Sequence, residues 1–310
     1  MLVLAAALVA LAAGAALVLV TQPVLGRARP WSGPRADPAR LAASVRGLVG
    51  LGPRNTHSGM ERAAAFIREQ LSGLSISEQV YRFDQENYRN IIVSFGPRTP
   101  QLLVAGAHYD TAGPFPGADD NASGVAGLLE IARLLRERPP ALRTELVFYP
   151  NEEPPAFHSR GMGSFIHASS LRPEEVRAMI GLEMIGCFTE TQRFPLSALK
   201  LLYPSEGNYI VVVGRPGDFA LVRSVKRALL SAGAPVRSIN APRSIPGVDF
   251  SDHANYWNAG MPAVMITDTA FYRNPRYHTA LDTPDTLDYT TMAKVVDGVA
   301  AALHALAVSR

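Results

Sequence analysis

The sequence predicts an α/β domain: one mixed, largely parallel central sheet with helices on both faces, preceded by an N-terminal hydrophobic segment. Three observations predict it. Apolar, β-branched runs of strand length recur along the chain. Between them lie stretches whose apolar residues repeat at helical spacing. Strands interleaved with helices require a sheet covered on both sides. Finally, 310 residues that are 47% hydrophobic and 18% charged are enough to bury a large core, and that composition excludes a disordered chain.

The elements follow in order. Asp37-Pro38 is an N-cap followed by a proline that suits a first helical turn, and an amphipathic helix should run to about Gly50. SGMERAAAFIREQL reads as a second helix. NIIVSF and QLLVAGA are strands, VAGLLEIARLLRER a helix, TELVFY a strand and GSFIHA a short helix. AMIGLEMIG and YIVVVG are strands, FALVRSVKRALLSAG a helix, SDHANYWNAG a helical turn and AVMITD a strand. A closing helix is expected from about Thr290 to Val308. No internal repeat appears, so residues 37–310 are expected to form one catalytic-size domain.

Residues 1–22 are different. Leu2 to Val20 contains only Leu, Val, Ala and one Gly, with no polar face. At about 1.5 Å per residue that run covers most of a bilayer core. A membrane anchor is expected, with a cleaved signal segment as the alternative. Residues 23–36 then read as a Pro/Arg-rich tether. The main domain is expected outside the cytoplasm, or secreted if the segment is cleaved. Arg27, Arg29 and Arg35 pull against that placement by the positive-inside rule.

The formal charge of +3 does not make this a nucleic-acid-binding chain. Only three of the 30 basic residues are lysines, and the arginines are scattered, whereas phosphate binding needs clustered cations. The single cysteine, Cys187, excludes an internal disulfide and a thiolate-rich metal site.

In a sheet of this kind ligands collect beyond the carboxyl ends of the strands, and there the polar residues gather. QLLVAGA runs into His108 and Asp110, followed by GADDNASG. TELVFY runs into Glu152 and Glu153, AMIGL into Glu183, and the last strand leads to His278. Two imidazoles with several carboxylates and no cysteine suit zinc. One ion needs about three protein ligands, so five candidates point to two ions sharing a carboxylate. His108 and Asp110, two apart on an extended segment, share a face, so the carboxylate can orient the ring.

HYDTAGPFPGADDNASG, NEEPP with a following MGS, LEMIG, SDHANYW and NPRYHTALDTPDTL, in that order, resemble the zinc aminopeptidases of the M28 metallopeptidase family across roughly residues 40 to 310. The resemblance implies two zinc ions bridged by Asp119, one completed by His278 and Glu153, the other by His108 and Glu183. It implies a cis peptide between Asp119 and Asp120, and Glu152 as the general base. A base must stand outside the metal's own ligands, which explains the paired glutamates. Asp110 and Asp120 are then structural neighbours, and Asp252 and His253 of the SDH motif are groups behind the ligands. Glu183 stands where many family members have Asp. Val248 stands where the best-known secreted members have an oxyanion-stabilising Tyr, with Tyr256 or Tyr272 as conceivable replacements.

His57, His158, His167 and His304 lack metal-site context and are expected to be ordinary residues. The implied activity is removal of N-terminal residues from peptides. Two alternatives share the fold: a glutaminyl cyclase-like enzyme with one zinc, and a non-catalytic binding ectodomain.

Overall fold

The computed structural model describes residues 14–308; residues 1–13, most of the expected anchor, lie outside them. A helix, α1, is described over 14–21. The domain then runs α2 (Pro38–Gly50), α3 (His57–Gln70), β1 (Ile76–Phe83), β2 (Glu86–Phe95), β3 (Leu102–His108), α4 (Gly124–Glu137), β4 (Arg143–Tyr149) and α5 (Gly163–Ser169). It continues with β5 (Val176–Glu183), β6 (Ile210–Gly214), α6 (Phe219–Ser231), β7 (Val236–Asn240), α7 (His253–Asn258), β8 (Ala263–Thr267) and α8 (Tyr289–Val308).

Eight strands form one sheet in the order β1-β2-β4-β3-β5-β8-β6-β7. The centre is parallel, from β4 through β3 and β5 to β8. β2 joins β4 antiparallel, and β6 joins β8 antiparallel. The sheet is therefore mixed and largely parallel, as the alternation of elements requires.

Period-two alternation divides the core. Leu103, Ala105 and Ala107 of β3 face one apolar cluster with α2, α3, α4, α6 and α8, while Leu102 and Val104 face a second one with residues of α5 and α7. All seven β3 residues are buried, which is why this strand reads as a continuous apolar run. Asp37 caps α2 as expected, its carboxylate accepting from the Ala39 amide at 2.8 Å, with Pro38 first in the helix. Helix α8 is long and apolar enough to cross a membrane by composition, but two thirds of its most apolar window is buried inside the domain.

Three features depart from expectation. β1 and β7 are strands that periodicity did not single out. β1 alternates between exposed and half-buried residues at one edge of the sheet, and β7 is a five-residue strand at the other. The run AMIGLEMIG is not one strand: β5 stops at Glu183, and Met184 adopts φ +52°. Residues 23–36, expected as a tether, are laid along the domain. The Trp31 amide donates to Ser231 O, Arg35 pairs with Asp297 at 2.9 Å, and the Ala36 amide donates to Asp297.

Candidate metal centre

Four strand ends deliver the site. β3 ends on His108, which is fully buried. Its Nε2 lies 3.4 Å from Asp120 Oδ1, 3.4 Å from Glu183 Oε2 at the end of β5, and 3.8 Å from Glu152 Oε2 beyond β4. His278, beyond β8, places Nε2 3.0 Å from Asp120 Oδ2 and 3.3 Å from Glu153 Oε1. Two groups of three ligand types result, His108/Asp120/Glu183 and Asp120/Glu153/His278, and they share Asp120.

The shared carboxylate corrects the expectation. Asp120, not Asp119, stands between the two histidines, with one oxygen toward each. The backbone explains the difference. A left-handed Gly117 opens a π-helical turn over Ala118–Ser123, and Asp120 and Asn121 leave helical geometry inside it. The cis peptide joins Asp120 to Asn121, not Asp119 to Asp120. Asp119 points away: its Oδ1 accepts from the Gly186 amide at 3.0 Å and its Oδ2 from Asn274 at 2.8 Å. Its carboxyl groups with Asp268 and Cys187.

Two buried aspartates set the ligand-bearing backbone by the same device. Asp110 accepts the amides of Glu152 (3.1 Å) and Glu153 (3.0 Å), and its Oδ1 lies 3.4 Å from His108 Nδ1. Asp282 accepts the amides of Asp119 (2.9 Å) and Asp120 (3.1 Å). The sequence reading included Asp110 but missed Asp282, although it lies in the quoted NPRYHTALDTPDTL segment. Ser251 donates to Glu183 Oε2 at 2.7 Å and orients that ligand. Arg54, fully buried, donates to Tyr109 O, Pro116 O and Gly117 O, closing the loop between His108 and Asp120. Burial lowers its guanidinium pKa to about 10, against the pull of Asp110 and Asp120. No spacing pattern marks Arg54, because all three of its acceptors are main-chain carbonyls.

The residues fit a pair of divalent ions. Both ring nitrogens of His108, His278 Nε2 and Glu153 Oε1 are buried and make no well-formed hydrogen bond, although carboxylate oxygens crowd around them. Such groups are costly unless something else satisfies them. The charges point the same way. Burial pushes the Glu153 carboxyl up to about 8, with Asp120 adding to it. Burial also raises Glu183, and holds Glu152 well above the usual range with Glu153 and Glu183 beside it. Burial opposes a charged ring at His108, yet Glu183 and Glu152 keep its pKa well above normal. A cation among these carboxylates offsets their repulsion.

The SDH motif divides. Asp252 is buried with neither oxygen in a well-formed hydrogen bond, and burial brings its pKa up to about 7 against the pull of His108, with Glu183 and Asp110 adding to the rise. His253 Nε2 donates to Val248 O (2.9 Å) and packs edge-on against Trp257, and burial takes its pKa down to about 4. Tyr256 is turned behind the sheet, bonded to Tyr149 (2.7 Å) and His167 (2.5 Å), so it is no replacement for the missing tyrosine. Tyr272 donates to Pro246 O. His167, expected to lack a paired acid, lies buried 3.3 Å from Glu145. His57 is half-exposed beside Glu61 and Glu86, His158 stacks on Phe157, and His304 packs against Trp31.

Beside Glu183 opens a pocket of ≈ 860 Å³ of empty space, its mouth included. Val211, Val213, Met265, Phe250, Phe271 and Tyr277 give it a mostly apolar wall. Leu199 and Tyr203, from the stretch SALKLLYPSEGNY, contribute to it, so that stretch shapes the pocket.

Comparison with known proteins agrees with this architecture. Residues 90–303 match peptidase family M28. The chain is 47% identical over 300 residues to the uncharacterized protein YfbL of Escherichia coli K12, covering 89% of this chain and 92% of that protein. It is 26% identical over 270 residues to a probable leucine aminopeptidase of Arthroderma otae, covering 78% of this chain and 65% of that protein. Among solved structures, a glutaminyl cyclase of Bacteroides thetaiotaomicron superposes with TM-score 0.67 at 21% identity, over 88% of this chain and 99% of that one. A Zn-dependent exopeptidase of Parabacteroides distasonis superposes with TM-score 0.66 at 19% identity, over 88% and 99%.

Proposed function

The chain belongs to peptidase family M28 and shares its fold with zinc exopeptidases, and from that premise we propose that it is a two-zinc aminopeptidase that removes apolar N-terminal residues from peptides. One observation carries the reading: Asp120 presents one oxygen toward His108 and the other toward His278, with Glu183 and Glu153 completing the two sides. His108, Asp120 and Glu183 would hold one ion, and His278, Asp120 and Glu153 the other.

When bound, zinc polarises a carbonyl and makes water acidic enough to ionise near neutral pH. The rest falls to side chains. Glu152, 3.8 Å from His108 and in neither ligand group, takes the proton from the attacking water and passes it to the leaving amine. Asp110 holds Glu152 and Glu153 in register through their amides, so base and ligand cannot shift independently. The apolar pocket beside Glu183 suits a hydrophobic first residue. The Arthroderma relative bears the name of a probable leucine aminopeptidase, an activity of the same kind.

The test is a panel of dipeptides with free, N-blocked and C-blocked ends, plus a peptide beginning with Gln. Hydrolysis that requires a free amine and favours Leu or Phe at the first position is the expected result. Release of pyroglutamyl peptide without hydrolysis would move the chain to the cyclase reading, and indifference to amine blocking would refute the aminopeptidase direction.

A further inference from the structure

The apolar N-terminal run does not enter the domain through a free linker. Helix α1 over 14–21 exposes Leu17, Val18 and Leu19, each more than 40% accessible among the described residues. At its end the chain is gripped. Lys226 Nζ donates to Thr21 O (2.8 Å) and Gln22 O (3.2 Å), and Ser238 Oγ donates to Thr21 O (2.6 Å). Arg223 donates to Gln22 Oε1 (2.7 Å), and Gln22 is fully buried. The grip joins α6 and the edge strand β7. Beyond it the chain continues along α6 to Ser231 and α8 to Asp297.

The surface around the grip has a composition of its own. Residues 14–36 and 219–240 contain no Asp or Glu. Arg27, Arg29, Arg223, Arg227 and Arg237 are exposed there, with Leu25 (84% accessible) and Leu230 (39%) among them. Exposed leucines set among arginines, with no acid in either segment, suit the boundary between anionic headgroups and acyl chains. A run from Leu2 to Val20 with no charged residue leads into this same surface.

We infer that the β7–α6 edge lies on an anionic lipid bilayer, held there by the grip of Lys226, Ser238 and Arg223 on residues 21–22, so that the domain has one fixed orientation on the membrane. In the strand order β5-β8-β6-β7, Glu183 stands three strand spacings from that edge, roughly 14 Å at about 4.8 Å each. The inference rests on the membrane reading of residues 2–20 and is independent of the peptidase reading.

The full chain, reconstituted into phosphatidylcholine vesicles containing phosphatidylglycerol and a nitroxide-headgroup lipid, tests it. Fluorophores are attached to Arg227→Cys at the proposed contact and to Arg82→Cys on β1, at the opposite sheet edge. Cys187 is buried and should not label. Quenching several-fold stronger at 227 than at 82 is expected. Equal quenching at both sites, no quenching at either, or protein that does not float with the vesicles would overturn the inference. Lys226→Met, or Gln22→Ala where the first variant fails to fold, should erase the difference between the two sites; an unchanged difference would overturn the role of the grip.

Discussion

Asp119 and Asp120 are neighbours in the chain and serve opposite sides of one loop: Asp120 faces both histidines, while Asp119 faces the Gly186 amide and the Asn274 amide group. Their substitutions should separate accordingly. Asp120→Asn weakens both halves of the centre, so zinc content and turnover should fall together, turnover by about 10²-fold or more. Asp119→Asn sets a donor against a buried donor, costing about 1–3 kcal/mol of stability, while zinc content is retained. Elemental analysis beside thermal melts distinguishes the two.

The same pair shows how far the sequence could be read. Fully buried strands such as β3 announce themselves by composition, and strand ends carrying His108, Glu152, Glu153 and Glu183 were legible because a parallel sheet gathers its ligands at that end. Which of two adjacent aspartates turns inward depends on backbone geometry between Gly117 and Asn121, including a non-helical Asp120 at φ −103°, ψ 91°. No side-chain pattern encodes that. Asp282 anchors this loop from 163 residues away, and such a pairing leaves no local trace. β1 escaped notice because its half-exposed edge carries ISEQVYRF, in which polar residues are as many as apolar ones.

Glu152 and Glu153 should also part. Glu152→Gln removes the proton acceptor but no ligand, so zinc content and fold should survive while turnover drops by about 10² to 10⁴-fold. Glu153→Gln replaces a charged ligand by a weak neutral one, and added zinc should restore part of its activity. Rescue of the Glu152 variant by zinc, with Glu153→Gln unaffected, would reverse the two roles.

Arg54 closes the loop between His108 and Asp120 through three carbonyls. Arg54→Met leaves those acceptors and the neighbouring acids without their buried cation, and should cost about 3–5 kcal/mol. Denaturant unfolding measures it; a loss below about 1 kcal/mol would show that water replaces the guanidinium freely.

His253 gives a pH dependence of defined sign. Its folded pKa of about 4 lies below the unfolded value of about 6.5, so the folded state favours the neutral ring. The stability it contributes is complete above about pH 6.5 and is lost as pH falls toward 4, by about 3 kcal/mol in all. Melting temperatures of the parent and His253→Gln should therefore converge on acidification across that window. Parallel curves would mean that the ring is not buried neutral.

The central claim, two zinc ions sharing Asp120, is tested most directly by titrating zinc into the metal-depleted full chain while hydrolysis of a leucyl dipeptide is followed. Activity rising until two equivalents are bound per chain is the predicted result. Full activity at one equivalent, with no second ion bound at saturation, would contradict it.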